Sequence, residues 1–219
     1  MTINFHNTHF EISASKMNEC PGASVPEIVF AGRSNAGKST AINTLCKQRQ
    51  LAYASKMPGR TQLLNFFHVL EQGEAIARLV DLPGYGFAQL AQSSQSAWDR
   101  ELGSYLADRI SLRGCVLIVD ARRGLLELDH ALIQWVSHRQ LPVHILLSKS
   151  DKFNRQEQVL ALRAANKALE PHRVNGHVIT VQLWSALKKQ GVDEFERQLT
   201  QWIRPVDAAA EHTPKGTTP

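Results

Sequence analysis

The sequence predicts an α/β fold of three layers, α/β/α, built on a mainly parallel central sheet. Two observations carry that expectation. Along residues 25–204 short apolar runs alternate with amphipathic stretches, the rhythm of strands and helices in turn. The first run also passes through a glycine-containing loop directly into a helix, and in open α/β sheets ligands bind outside the carboxyl ends of the strands, where such loops lie.

Taken in order, "EIVFAG" from Glu27 is apolar after its first residue and reads as a buried strand, followed by a helix from Lys38 to about residue 48. "LLNFFHVL" and "AIARLVDL" read as two strands about a turn at Gly73, and "GCVLIVD", "PVHILLS" and "HVITVQLW" as three more, each flanked by helical patterns. A last helix begins near Gly191, where Val192, Phe195, Leu199 and Trp202 form one apolar stripe. Residues 1–24 are polar and irregular and read as an amino-terminal arm. Residues 205–219, "PVDAAAEHTPKGTTP", read as a flexible tail, which leaves one domain over 25–204.

Composition narrows the class. With 43% hydrophobic and 21% charged residues the chain belongs among soluble globular proteins. No apolar run approaches the roughly 18 residues of a membrane span, and the first twenty residues lack the order of a signal peptide, so a cytoplasmic protein without a membrane partner is expected. Cys20, Cys46 and Cys115 stand far apart, and the nine histidines show no ligand spacing, which argues against a zinc site or a disulfide framework. The formal charge of +5 and pI near 9.3 suit a partner rich in phosphate, such as nucleic acid.

The chemistry concentrates in "GRSNAGKST", which fits Gly-x-x-x-x-Gly-Lys-[Ser/Thr] with Gly32, Gly37, Lys38 and Ser39 in the fixed places. It follows a strand and opens a helix, the context of a P-loop nucleotide-binding protein. The backbone amides of Arg33, Ser34, Asn35, Ala36, Gly37, Lys38 and Ser39 would wrap a phosphate chain, with the helix dipole behind them. Lys38 would reach the β- and γ-phosphates and the Ser39 hydroxyl would sit on Mg²⁺; Thr40 borders the pocket one position past the metal slot. Asp81 and Gly84 in "LVDLPGYG" supply an Asp-x-x-Gly at a second strand end, Asp81 for Mg²⁺ and the Gly84 amide for the γ-phosphate. In "LAYASKMPGRTQ", Thr61 is the only threonine, and with the Gly59 hinge it suits a segment that senses the γ-phosphate and Mg²⁺.

The base is read from "LLSKSD" and "LWSALKK". Guanine offers N1–H and N2–H₂ side by side, and the Asp151 carboxylate can accept both, whereas adenine has no such donor pair. Lys149 would lie along the base and brace the phosphate loop. Ala186 would offer its N–H to guanine O6, Ser185 would tighten the loop, and Leu187 follows in the same segment. GTP and GDP are therefore the expected ligands, and Lys149 with Asp151 speaks against the rival reading of a small-molecule P-loop kinase. A membrane-linked signalling switch is the other rival, for which no lipidation signal or amphipathic anchor stands in the sequence.

On "FAGRSNAGKST", "PGRTQLLNFF", "LVDLPGYGFA", "SKSDK" and "WSALKKQGVDEF" the chain resembles the EngB group of bacterial GTPases, within the TrmE-Era-EngA-EngB-like P-loop GTPases, over residues 25–204. The resemblance implies a GTPase that acts in assembly of the large ribosomal subunit, with ribosomal RNA and protein as partners, and a monomer is expected. Ala36 stands where that group usually has valine, Thr40 where serine is common, and Ser148 where threonine or asparagine precedes Lys-x-Asp; of these Ser148 matters, since its shorter side chain braces the base pocket less well, so weaker nucleotide affinity without a change of base is expected. Tyr85 occupies the position where Ras-like enzymes carry the glutamine that orients water, which implies slow hydrolysis. Asn35 stands open between two readings, a cradle for a catalytic K⁺ and a plain turn residue. Arg33, Lys56, Arg60, Arg122, Arg123, Lys188 and Lys189 fall in loops, several near the nucleotide edge, and suit RNA phosphates.

Overall fold

The computed structural model describes residues 2–53, 63–84 and 97–204, with side chains from residue 102 in the last segment. Among them β1 (Thr8–Ala14), β2 (Glu27–Gly32), β3 (Leu64–Glu71), β4 (Glu74–Asp81), β5 (Leu112–Asp120), β6 (Val143–Ser148) and β7 (Ile179–Leu183) form one sheet in the order β1-β3-β4-β2-β5-β6-β7. The run from β4 to β7 is parallel, and β3 is antiparallel to both its neighbours. The helices are α1 (Lys38–Leu45), α2 (Ala97–Asp108), α3 (Glu127–Ser137), α4 (Arg155–Leu169) and α5 (Val192–Ile203).

Alternation along the strands divides the apolar residues between two cores. Val29 and Ala31 of β2, with Cys115, Leu117 and Val119 of β5, face α2, α3 and α4 through Tyr105, Ile133, Val136 and Leu169. Ile28 and Phe30, with Val116 and Ile118, face Ile42 and Leu45 of α1 and Phe195, Leu199 and Ile203 of α5. The expected three layers follow, because strands covered on both faces must be apolar on both. The predicted stripe of α5 is the face it buries: Phe195 and Leu199 are fully buried, and Val192 and Trp202 pack at the margin. The β3–β4 hairpin turns through Gln72 and Gly73, both at positive φ (52° and 87°), as a two-residue turn matched to strand twist requires.

The amino-terminal segment differs from the irregular arm expected of it. β1 pairs antiparallel with β3 from Thr8↔Val69 to Ala14↔Leu64, with a bulge between Phe10 and Ile12, while Ile3 and Phe5 enter the α1/α5 core. The strand escaped notice because its apolar residues do not face that core: Phe10 and Ile12 are 54% and 41% exposed. The tail from residue 205 lies outside the described residues.

The end of the sheet away from the phosphate loop is held by charge. Glu27, fully buried at the start of β2, accepts from Arg109 Nε (2.9 Å) and Nη2 (2.6 Å) and from the Tyr105 hydroxyl (2.9 Å). Arg78 of β4 lies 3.8 Å from Glu27 and donates to Glu11 of β1 and to the Gly22 carbonyl. Three elements and the segment before β2 are thereby tied to one carboxylate.

His144 in β6 is buried between Thr180 (2.7 Å) and Gln182 (2.9 Å) and stacks on Phe195. Burial lowers its pKa to about 4. The unfolded chain therefore binds a proton at higher pH than the native chain, and this part of the stability is present above about 6.5 and lost as pH falls toward 4. Urea unfolding of the wild type should lose about 2 kcal/mol more between pH 7 and pH 5 than that of His144→Leu; equal losses would mean that the imidazole is not held neutral.

Candidate nucleotide-binding site

The loop after β2 begins at Gly32, where the chain passes so close to β5 that a Cβ would stand 2.6 Å from the Ile118 carbonyl oxygen. It ends at Gly37, which takes φ 104° as the amino-terminal cap of α1. Inside the turn the Ala36 amide donates to the Arg33 carbonyl (3.0 Å), and Asn35 adopts φ 63°. The first amides of α1, those of Lys38, Ser39 and Thr40, have no acceptor within the helix by its geometry. They form the positive end of its dipole. Ser39 is half-buried; Ser34, Asn35 and Thr40 are exposed.

Beside the loop, β4 ends at Asp81, whose Cα pairs with Phe30 of β2. Asp81 is buried and forms an ion pair with the Lys38 ammonium. Burial raises its pKa, and Lys38 opposes that rise. The following segment folds over the loop: a Cβ on Gly84 would stand 3.3 Å from the Ser34 nitrogen. One acid, one base and a glycine backbone thus converge on the amides of residues 33–39.

The strands β5, β6 and β7 bring the second half. At the end of β6 the buried Ser148 hydroxyl donates to the Ala36 carbonyl (2.5 Å), reaching the loop despite its short side chain. Lys149, at φ 60°, donates to the Asn35 carbonyl (2.7 Å) and to Asp120 (3.0 Å). Asp151 accepts from the Ser185 hydroxyl (2.6 Å), whose oxygen accepts from the Lys188 amide (3.1 Å). That hydrogen bond lowers the Asp151 pKa. Ser185 and Gln190 exchange backbone bonds of 3.2 and 3.0 Å and close a short loop that carries Ala186 and the exposed Leu187.

The structure therefore gathers the phosphate-loop residues, Asp81, Gly84, Ser148, Lys149, Asp151, Ser185, Ala186 and Leu187 at one sheet edge. Gly59, Thr61 and Tyr85 lie outside the described residues, as do Lys56 and Arg60. The motifs missed Asp120 and the use made of Arg122. The signal was present, since Asp120 closes the apolar run "LIVD" just as Asp81 closes "LVD".

Residues 27–149 match the family described as 50S ribosome-binding GTPase. The chain is 47% identical over 214 residues to the probable GTP-binding protein EngB of Burkholderia thailandensis, covering 97% of this chain and 98% of that one. It is 47% identical over 207 residues to the protein of that name in Paraburkholderia phymatum, covering 94% of both. Among solved structures it resembles a probable GTP-binding protein engB with a TM-score of 0.56 at 21% identity, over 81% of this chain and 98% of that one. It also resembles Era in complex with MgGDPNP and a piece of 16S ribosomal RNA, TM-score 0.59 at 21% identity, over 81% of this chain and 56% of that one. These structural likenesses support the fold. No helix among the described residues is long and apolar enough to cross a membrane.

Removing Lys38 should expose what it does for Asp81. With the ammonium gone, the buried carboxyl takes up a proton at higher pH, so the native chain binds more protons than the unfolded one and stability falls as pH rises above about 4. Lys38→Met should lose about 3 kcal/mol at pH 7.5 and distinctly less at pH 5, and Lys38→Met/Asp81→Asn should recover most of the loss. A pH-independent loss in chemical unfolding would contradict the pairing.

Proposed function

The chain belongs to the EngB family of GTP-binding proteins, and from that premise we propose that it is a slowly hydrolysing GTP switch acting in assembly of the large ribosomal subunit. The observation that carries the nucleotide part is the direct stitching of the base-reading strand to the phosphate loop, Ser148 to Ala36 and Lys149 to Asn35. A kinase that bound adenine would have no use for a carboxylate held as Asp151 is by Ser185. In this reading the amides of residues 33–39 hold the phosphates, with Lys38 on the β- and γ-phosphates. Asp151 accepts from guanine N1–H and N2–H₂, and the Ala186 amide donates to O6.

Asp81 and Ser39 offer hard oxygen donors, a buried carboxylate and a hydroxyl, which suit Mg²⁺, with Thr61 as a third group. When bound, Mg²⁺ would neutralise charge between the β- and γ-phosphates. In this reading the Gly84 amide donates to the γ-phosphate, and Tyr85 after it carries no side-chain amide to orient water, so hydrolysis by the protein alone stays at or below about 10⁻² s⁻¹. The exposed Asn35 side chain at the loop apex is available to a K⁺ ion, which would do the work of a cationic side chain.

The ribosomal part is supported by the description of the matching family and by charge. Exposed Arg122, Arg123, Lys188 and Lys189 stand in loops at the same edge as the nucleotide site, with Arg33 half-buried among them. Phosphates of ribosomal RNA suit such a rim.

Two measurements test the proposal. Calorimetry should find GTP and GDP bound and ATP not, and a preference for ATP would end the guanine reading. Co-sedimentation with large ribosomal subunits should require guanine nucleotide and weaken by about tenfold or more between roughly 50 and 200 mM salt. Absence of sedimentation with either GTP or GDP at the lower salt would end the ribosomal reading. Exchange of K⁺ for Na⁺ that leaves hydrolysis unchanged, with and without subunits, would assign Asn35 to the turn alone.

A further inference from the structure

Asp120 stands at the end of β5 directly opposite Ser148, and the loop after it is sewn to β6 by the Ala121 amide on the Ser148 carbonyl (2.9 Å). Its carboxylate is buried and receives four hydrogen bonds. Oδ1 accepts from the Arg122 backbone amide (3.1 Å) and Nε (2.9 Å); Oδ2 accepts from Arg122 Nη2 (2.6 Å) and from Lys149 Nζ (3.0 Å). The planar guanidinium grips both oxygens and fixes the plane of the carboxylate. What remains on Oδ2 points to the ammonium.

Lys149 needs such a partner. A lysine carries about 2 kcal/mol of rotamer freedom, and the Asn35 carbonyl alone supplies no opposite charge. Between Asn35 and Asp120 the ammonium has two fixed acceptors on two different elements, so the four-carbon stem is stretched across the mouth of the site. Lys149 itself sits in the left-handed region at φ 60°, which sets where that stem starts. The hydrogen bonds to the Asp120 carboxylate come from Arg122 and Lys149, and none of the four comes from an amide of the phosphate loop.

We propose that Asp120 is a positioning residue: by holding the Lys149 ammonium against the Asn35 carbonyl it sets the affinity for the purine ring without choosing which purine is bound. This rests on the reading that the Lys149 stem lies along the base. Selection belongs to Asp151, whose carboxylate is held separately by Ser185, so the two acids divide affinity from specificity.

The division gives the test. Calorimetry with GDP and IDP, which differ only in the N2 amine that Asp151 would accept, separates the two roles. Asp120→Ala should raise the Kd for both nucleotides by the same factor, about tenfold, as for a lost hydrogen bond to a charged group, with the GDP/IDP ratio unchanged. Lys149→Ala should do likewise, and the double variant should bind no worse than Lys149→Ala alone. Asp120→Asn, which keeps one acceptor oxygen but neither the second oxygen nor the charge, should recover only part of the affinity, while thermal unfolding of all variants remains a single cooperative transition. Unchanged affinity in Asp120→Ala, additive losses in the double variant, or a changed GDP/IDP ratio would overturn the proposal. If Lys149→Ala binds as the wild type does, the reading of the stem along the base fails and takes this proposal with it. If ADP binds better than GDP, the guanine reading fails by itself, and the coupling between 120 and 149, measured with the nucleotide that binds, still decides the role of Asp120.

Discussion

A backbone loop that turns its N–H groups toward an anion must find partners for the carbonyls it turns outward, and that constraint organises this structure. Buried polar groups of the main chain are left unpaired only at a cost of a few kcal/mol. Here the accounts close one by one. The Arg33 carbonyl accepts from Ala36, the Gly37 carbonyl from Ala41 at the start of the helix, the Ala36 carbonyl from the Ser148 hydroxyl, and the Asn35 carbonyl from Lys149. The last two partners stand at the end of β6 and directly after it, two strands away from the loop's own strand. Satisfying the loop therefore fixes where the segment from Ser148 to Asp151, proposed to read the base, must stand.

The sheet makes that arrangement repeatable. In a parallel sheet every strand delivers its last residue to the same edge, and the register places Asp81 opposite Phe30 and Asp120 opposite Ser148. The other edge is treated differently. There Glu27, Arg109, Tyr105 and Arg78 form a dense set of charge-assisted bonds that also seizes the amino-terminal segment through Glu11, Gly22 and Pro21. Breaking one partner of such a buried set is costly, so this edge acts as the fixed end. At the site edge the charged groups meet a loop of amides and a rim of cations.

What the sequence made legible follows the strength of the local signal. Continuous apolar runs located β2, β5 and β6 within two residues, and the glycine at 73 between two apolar runs gave the hairpin, whose turn residues Gln72 and Gly73 take positive φ. Helix α1 ends at Leu45, three residues short of the expected end, because Lys47 takes φ 54° and its amide turns back to Thr44. β1 was missed because its membership comes from backbone pairing with β3 and from the Glu11–Arg78 pair, neither of which leaves an apolar period. Fixed spacings located the phosphate loop and the Lys-x-Asp segment, because their glycines and charges answer to geometry. Asp120 closes an apolar run as Asp81 does but obeys no spacing to either motif; its link to Lys149 spans one strand and is visible only once the strands are aligned.

The two acids that flank the site differ in a way that environment dictates. Asp81 is buried so deeply that its ionised form depends on a cation, and Lys38 supplies it. A group in that position suits an exchange of cations, from the ammonium to a metal ion, as the phosphates draw Lys38 to themselves under the proposed reading. Asp151 is held ionised by a neutral hydroxyl from Ser185. A hydroxyl steadies a carboxylate without cancelling its charge, and the exposed Lys152 ammonium stands 3.7 Å from the second oxygen, a looser partner than Lys38 is to Asp81. Two neutral N–H groups on one edge of a purine are a weaker attraction than a tightly held ion, so under the proposed reading a carboxylate whose only cation is loosely placed suits them better than one capped as Asp81 is.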